Sequence, residues 1–300
     1  MSSAVPSHGS PARTVLVTGS SSGIGQATAI ELDRLGFRVF AGVRRQSDAD
    51  RLKAMSSAQL TPVILDVAQQ SSVDAAMALV AEEVAPSGLW GLVNVAGIAD
   101  FGPAETISAD RLLEIFQVNF FGALRVTQAA IPLMRRKGGR IVNVGSVGAH
   151  TTIPFGVSIC SSKHALESLT SALRMELAPW NIDVIAVDPS SIATSAADRM
   201  IDQAERTMTD TFSATDREHY EDALRLMATS MHAQEMSGLP PQGVAEVIAK
   251  ALTRQRPRTR YPVGPKAGTL VRLSGILPDR LFDRMKMRML GIRMSTPPEG

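Results

Sequence analysis

The chain has 300 residues, with 44% apolar and 20% charged side chains, which is enough to build a sizeable core and excludes wholesale disorder. One cysteine excludes a disulfide framework and a multi-cysteine zinc site, and only two tyrosines, Tyr220 and Tyr261, are present. The net charge of +2 hides a basic end: residues 251–300 carry 11 Lys and Arg against 3 Asp and Glu, a local +8, so the remainder is −6. That asymmetry points to an anionic surface or an acidic neighbouring subunit rather than to nucleic acid.

Residues 1–12 are rich in Ser, Pro and Gly and read as a short disordered arm without the apolar stretch of a signal peptide. Short apolar, β-branched runs then alternate with helical segments. Strands are expected at 14–18, 37–43, 61–66, 89–94, 140–145, 182–188 and 260–263, most of them apolar throughout, as strands buried on both faces are. Helices are expected at 23–35, 71–84, 109–136, 156–177 and 242–253. The alternation predicts an α/β fold, a single Rossmann-type doubly wound parallel sheet with helices on both faces, spanning 13–265.

Two segments break the pattern. Residues 193–239 form a long insertion after a strand, where such sheets bind ligands, and contain Met200, Met208, Met227, Met231 and Met236. Methionine is also a gap-filler, so packing alone explains these residues equally well. In the basic extension 266–300, Leu281, Met285, Met289 and Ile292 recur at helical spacing, flanked by Arg280, Arg284, Lys286 and Arg288. This predicts a basic amphipathic helix packed on its own domain, on a partner subunit or on a membrane surface. There is no apolar run of the ~18 residues that a bilayer-spanning helix needs, and a cytoplasmic location is expected.

The first strand runs straight into Gly19-Ser20-Ser21-Ser22-Gly23-Ile24-Gly25, which opens a helix. Glycines there allow a tight turn and close approach of backbone to a phosphate, and the helix N-terminus offers free N–H groups and a positive dipole end. The second strand ends in Val43-Arg44-Arg45, with no acid to hold a ribose 2′-hydroxyl. A guanidinium suits a 2′-phosphate, so NADP(H) is expected; solvated surface arginines are the alternative.

With these features the chain resembles the short-chain dehydrogenase/reductase family over 13–263, and its steroid and retinol dehydrogenase branch in the lead-in Leu89-Trp90-Gly91 and in 256–291. The motifs fall in family order: the turn above as TGxxxGIG, Asp66-Val67 at the adenine, Asn94-Val95-Ala96-Gly97 as the NNAG element, Asn119 to Gly122 as NxxG, and Val142 to Ser146 as the catalytic-serine strand. The resemblance implies that Gly19, Ser21, Ser22, Gly23, Ile24, Gly25, Arg44, Arg45, Asp66, Val67, Asn94, Ala96, Gly97, Lys163, Pro189, Ile192 and Thr194 hold the cofactor. It also implies a homo-oligomer, a dimer or tetramer, built through the helices at 109–136 and 156–177.

The catalytic segment departs from the family. Its Tyr-x-x-x-Lys corresponds here to Ile159-Cys160-Ser161-Ser162-Lys163: the lysine that binds the nicotinamide ribose is present, and isoleucine stands where the proton-donating tyrosine is expected. The Pro-Gly pair after the sixth strand is Pro189-Ser190. On a helix, i and i+4 share a face, so Ile159 and Lys163 point the same way, whereas Ser158, Cys160 and His164 are rotated off it. His150 is expected in a polar loop, and Tyr220 in the insertion is a candidate lid residue. Ser146 is then the carbonyl hydrogen-bond donor, Lys163 the ribose and electrostatic anchor, and Asn119 a helix or water positioner.

These residues point to an NADPH-dependent reductase of a carbonyl or quinone in an apolar or aromatic, polyketide-like substrate, with the proton supplied by substrate or water. The alternatives are a catalytically silent NADP(H)-binding regulatory protein and a non-redox cyclase or dehydratase that uses the cofactor as scaffold.

Overall fold

The computed structural model describes residues 13–292, so the 1–12 arm and the end of the basic extension lie outside the described residues. Seven parallel strands form one sheet: β1 (Thr14–Val17), β2 (Arg38–Val43), β3 (Leu60–Ile64), β4 (Gly91–Asn94), β5 (Gly139–Val144), β6 (Ile182–Pro189) and β7 (Arg260–Val263). Their order is β3-β2-β1-β4-β5-β6-β7, so the chain reverses direction across the sheet between β1 and β4. Val17 pairs with Ala41 on one side and Val93 on the other, which brings the carboxyl ends of β1, β2 and β4 together at that switch point.

Each face of the sheet has its own core. On one side α1 (Gly23–Arg34), α2 (Gln46–Ala54) and α9 (Pro241–Thr253) bury Ala29, Leu32, Leu52, Ile248 and Leu252 against Val15, Val39 and Val142. On the other, α3 (Gln70–Val84), α5 (Ala123–Met134) and α6 (Val157–Glu176) bury Val73, Met77, Val126, Met134 and Leu173 against Leu16, Phe40, Leu92 and Ile141. Because β1 and β4 are buried on both faces, their near-continuous apolar sequence is what this architecture requires.

Three details depart from the sequence expectation. Helix α2 was not foreseen: its only buried residues are Ala49 and Leu52, too few to set up a periodic apolar signal. Its charges nonetheless complement the helix dipole, with Asp48 in the first turn and Arg51 and Lys53 in the last. The helix expected over 109–136 is interrupted, with α4 (Ala109–Phe116) joined to α5 by a π-helical turn at Gln117–Gly122.

The third departure is α11 (Asp279–Met289), which follows α10 (Ala267–Ser274). The helix exists, but only the end of the apolar stripe expected from sequence turns inward: Leu281 and Met289 are 52% and 40% exposed, whereas Ile292 is buried. The buried positions are Phe282 and, past the helix end, Leu290 and Ile292. Lys286 lies between them, with its ammonium donating to the Thr152 carbonyl at 2.8 Å. A phenylalanine and a lysine stem that finds a carbonyl took the inward stripe from the thinner leucine–methionine one.

The insertion folds as α7 (Ser195–Arg206), a π-helical turn and α8 (Ala214–Met236). Met208, Phe212, Leu224, Met227 and Ala228 make a third core with Leu290 and Ile292. Met231 packs against its edge and Met236 is exposed. None of the helices among the described residues is long and apolar enough to cross a membrane.

Candidate active site

A cleft of about 810 Å³ opens over the carboxyl ends of β1, β2, β4, β5 and β6, and the insertion forms its outer wall. Its construction starts at the Gly-rich turn. Gly19 has φ +68° and Gly23 φ +56°, left-handed values that favour glycine. A side chain on Gly25 would start 2.1 Å from the Gly19 carbonyl oxygen, so the turn closes only with glycine there. Ser22 is the N-cap of α1, yet its side chain makes no capping bond, which leaves the first-turn amides for an anion. Behind the turn, Thr18 Oγ1 accepts hydrogen bonds from the Val95 and Ala96 amides at 3.0 and 3.1 Å, fixing the segment after β4 against it. Arg51 donates to the Ser21 carbonyl at 2.8 Å, so the unforeseen helix α2 braces the same loop.

The remaining wall follows the sequence expectation closely. Arg44, Arg45, Asp66, Val67, Ala96, Gly97, Ser146, Ile159, Lys163, Pro189, Ile192 and Thr194 all line the cleft with Gly19 and Ser21 to Gly25. Arg44 and Arg45 are exposed and have no carboxylate partner among the described residues. Asn94 departs from expectation. It is buried behind the cleft, where its Nδ2 donates to Thr127 Oγ1 and Asn143 Oδ1 at 3.0 and 2.9 Å. Asn143 in turn donates to Thr170 Oγ1, so these polar residues cross-link β4, β5, α5 and α6 in the core.

Asn119 also lies beneath the cleft wall rather than on it. It sits in the π-helical turn, which aims its side chain at the backbone of residue 98. Oδ1 accepts from the Ile98 amide at 2.8 Å, while Nδ2 donates to the Ile98 carbonyl and to Ser162 Oγ, both at 2.9 Å. Both donor hydrogens are committed, so the Asn119 side chain ties the loop after Gly97 to helix α6.

Helix α6 presents two side chains to the cleft, Ile159 and Lys163. Its hydroxyls turn back on the protein: Ser158 donates to the Asp100 carbonyl, Ser161 to the Val157 carbonyl and Ser162 to the Ile159 carbonyl. Cys160 is buried, and burial pushes its thiol above the usual range. His164 bonds the Cys160 carbonyl at 2.8 Å, and Tyr220 bonds Glu105 at the surface, away from the cleft lining. Beside Ile159 in the cleft wall, Ser146 supplies a hydroxyl and Lys163 an ammonium. Ser146 Oγ accepts from the Gly148 amide at 3.0 Å, leaving its own proton free to donate.

Lys163 is buried and donates to the Val144 carbonyl at 2.8 Å. Burial pulls its pKa down from 10.5 to about 8, partly opposed by the negative charge of Asp188. Asp188 is fully buried at the end of β6, with Oδ2 2.9 Å from His150 Nε2 and 3.4 Å from Arg260 Nε. Arg260 continues to Glu167, so the His150 loop residue belongs to a charge network under the cleft floor. That network also ties the Ser146 loop to β6. Gly145 permits it: a Cβ there would lie 2.2 Å from Asp188 Oδ1.

Sequence reasoning missed Arg111, Arg199, Gln203 and Glu235, which line the substrate side with Ile98, Ala99, Phe101, Val118 and Met200. Arg111 is held by Asp100 at 2.6 Å and by Glu114. Glu235 receives the Ile192 amide at 3.0 Å, and burial raises its carboxyl pKa against that bond. The position of the insertion was the one available signal for Arg199, Gln203 and Glu235.

A family model described as short chain dehydrogenase matches residues 13–205. The chain belongs to the short-chain dehydrogenase family. Among relatives of this short-chain dehydrogenase, retinol dehydrogenase 16 of Rattus norvegicus is 33% identical over 279 residues, covering 90% of this chain and 86% of the relative. An uncharacterized oxidoreductase, YbbO of Escherichia coli strain K12, is 35% identical over 277 residues, covering 91% and 93%. Of solved structures, a short-chain dehydrogenase from Streptomyces avermitilis superposes with a TM-score of 0.72 at 25% identity, covering 94% of this chain and 98% of that one. An actinorhodin polyketide ketoreductase with NADPH gives a TM-score of 0.66 at 27% identity, covering 81% and 91%. The family resemblance and the doubly wound parallel sheet expected from sequence thus both hold, and the protein is an oxidoreductase by family.

Proposed function

We propose that this short-chain dehydrogenase is an NADP(H)-dependent reductase of a carbonyl or quinone in an apolar or aromatic, polyketide-like substrate, working without an enzyme phenol as acid. The observation that carries the reading is the pairing, in one cleft, of an intact dinucleotide cradle with Ser146 and Lys163 while Ile159 occupies the wall one helical turn before the lysine. Nicotinamide, when bound, supplies the hydride. The first-turn amides of α1 would hold the dinucleotide's pyrophosphate, Arg44 and Arg45 would meet a 2′-phosphate, Asp66 and Val67 would border the adenine, and Ile192 and Thr194 would border the carboxamide.

The chain's own contribution to chemistry is orientation and charge. Ser146 donates a hydrogen bond to the substrate carbonyl oxygen and keeps its proton. Lys163, a cation at neutral pH, stabilises the negative charge that develops on that oxygen, beside the apolar side chains of Ile98, Ala99, Phe101, Val118, Ile159 and Met200 in the cleft wall. Isoleucine donates no proton, so the proton comes from water or from the substrate's own hydroxyl. A quinone, or a ketone beside a phenol, meets that requirement. The fold similarity to a polyketide ketoreductase supports this substrate class.

The test is NADPH consumption over a panel of quinones and hydroxyaryl ketones, with 4-deuterated NADPH to trace the hydride into product. Deuterium in a reduced quinone or hydroxyaryl ketone, with little turnover of simple ketones, is the expected result. In Ile159→Tyr, simple ketones should gain about 10²–10⁴ in rate. Tight NADP(H) binding with no hydride transfer to any acceptor would refute the reading in favour of a cofactor-sensing protein.

A further inference from the structure

Helix α11 carries four stripes, one of them Asp279, Asp283 and Met287. Phe282, Lys286 and Leu290 face inward, and Leu290 enters the insertion core, where Ser230 Oγ also donates to its carbonyl at 3.1 Å. Leu281, Met285 and Met289, each four residues apart, form the next stripe, and its two ends are exposed. Arg280, Arg284 and Arg288 form the third, exposed and without a carboxylate partner among the described residues. At the turn leading into the helix, Ile276 stands 76% exposed, the highest value among the exposed large apolar residues. An uncovered apolar ridge beside a row of unpaired arginines is an arrangement that water alone does not favour.

We propose that the α10–α11 hairpin docks on an anionic lipid surface, with Ile276, Leu281 and Met289 entering the interfacial layer and the three arginines meeting lipid phosphates. Charge complementarity selects this occupant. A second copy of the chain packed symmetrically on this face would set arginine row against arginine row. A bilayer offers both components at once, an apolar boundary for the ridge and negative charge alongside it. The orientation has a consequence for the cleft: α11 rests on α8 and, through Lys286, on the loop between Ser146 and α6, so docking brings the substrate-side insertion to the lipid surface. The inference is independent of the reaction that the cleft performs.

Co-sedimentation of the full-length protein with vesicles of phosphatidylcholine, with and without phosphatidylglycerol, tests it at low and high salt. Binding is expected to the anionic vesicles and to weaken with salt. The R280Q/R284Q/R288Q variant should bind about a hundredfold more weakly. The I276Q/L281Q/M289Q variant should lose about tenfold or more. All six positions are exposed, and circular dichroism melts establish that both variants fold. Absence of sedimentation with anionic vesicles, equal binding to neutral ones, or variants that bind like the parent would overturn the proposal. So would a concentration-dependent self-association abolished by the same substitutions without vesicle binding.

Discussion

Replacing Lys163 with methionine should stabilise the protein at neutral pH, although it removes the cleft's buried ammonium. Holding this ammonium in the fold is costly: the difference between its ordinary pKa of 10.5 and about 8 in place is worth about 3 kcal/mol at pH 7. Methionine fills similar space without the charge. The substitution forfeits the hydrogen bond to the Val144 carbonyl, a loss of about 1–2 kcal/mol. Asp188 keeps His150 and Arg260 as partners. A net gain of about 1–2 kcal/mol follows at pH 7, with a rise in Tm of a few degrees. The sign depends on pH in a definite way. An unfolded lysine keeps its proton up to 10.5, whereas the folded one releases it from about 8, so the parent gains stability relative to the variant as pH rises between those values. Urea denaturation of both proteins without cofactor, at pH 7 and near pH 10, reads the difference. A variant less stable than the parent at pH 7, by an amount that does not change with pH, would refute the reasoning. Cofactor binding should weaken in the same variant, which separates a site residue from a merely tolerated one.

The other expectations rest on separate contacts. Gly145→Ala puts a methyl group 2.2 Å from Asp188 Oδ1 between two paired strands, and should cost about 1–3 kcal/mol in urea denaturation. Asn94→Leu strips the donor from Thr127 and Asn143 and should cost about 2–4 kcal/mol, while calorimetry finds NADP(H) affinity essentially unchanged in the folded fraction. Arg44→Ala with Arg45→Ala should weaken NADP(H) binding by about tenfold to a hundredfold and leave NAD(H) binding alone; equal losses for both cofactors would show that these arginines do not read a 2′-phosphate.

Most of the sheet was legible because strands buried on both faces have little choice of residue: Val15 to Val17 in β1 and Gly91 to Val93 in β4 are apolar or small. The glycine turn was legible for a related reason, since its geometry excludes any Cβ at Gly25. Helix α2 was not, because two inward residues suffice to seat a short helix on the sheet edge. The π-helical turn was not either; it re-aims Asn119 from the cleft to the Ile98 backbone, and helical periodicity alone does not register one extra residue in a turn.

From the sequence alone came the order of the strands and of the main helices between them, the phosphate turn, the basic end of the strand after it, and isoleucine four residues before Lys163. These are local facts, set by backbone conformations that only certain residues adopt and by burial that only apolar residues tolerate. Tertiary structure decided what each polar side chain spends its hydrogen bonds on. It took Asn94 and Asn119 out of the cleft, turned the serines of α6 away from it, and placed Asp188 near the Lys163 charge. It also chose between two apolar stripes of α11, which differ by a single 100° rotation that the pattern of residues could not resolve. Those outcomes depend on partners distant in the chain, and a carbonyl such as that of Thr152, waiting for Lys286, leaves no mark on the sequence around α11.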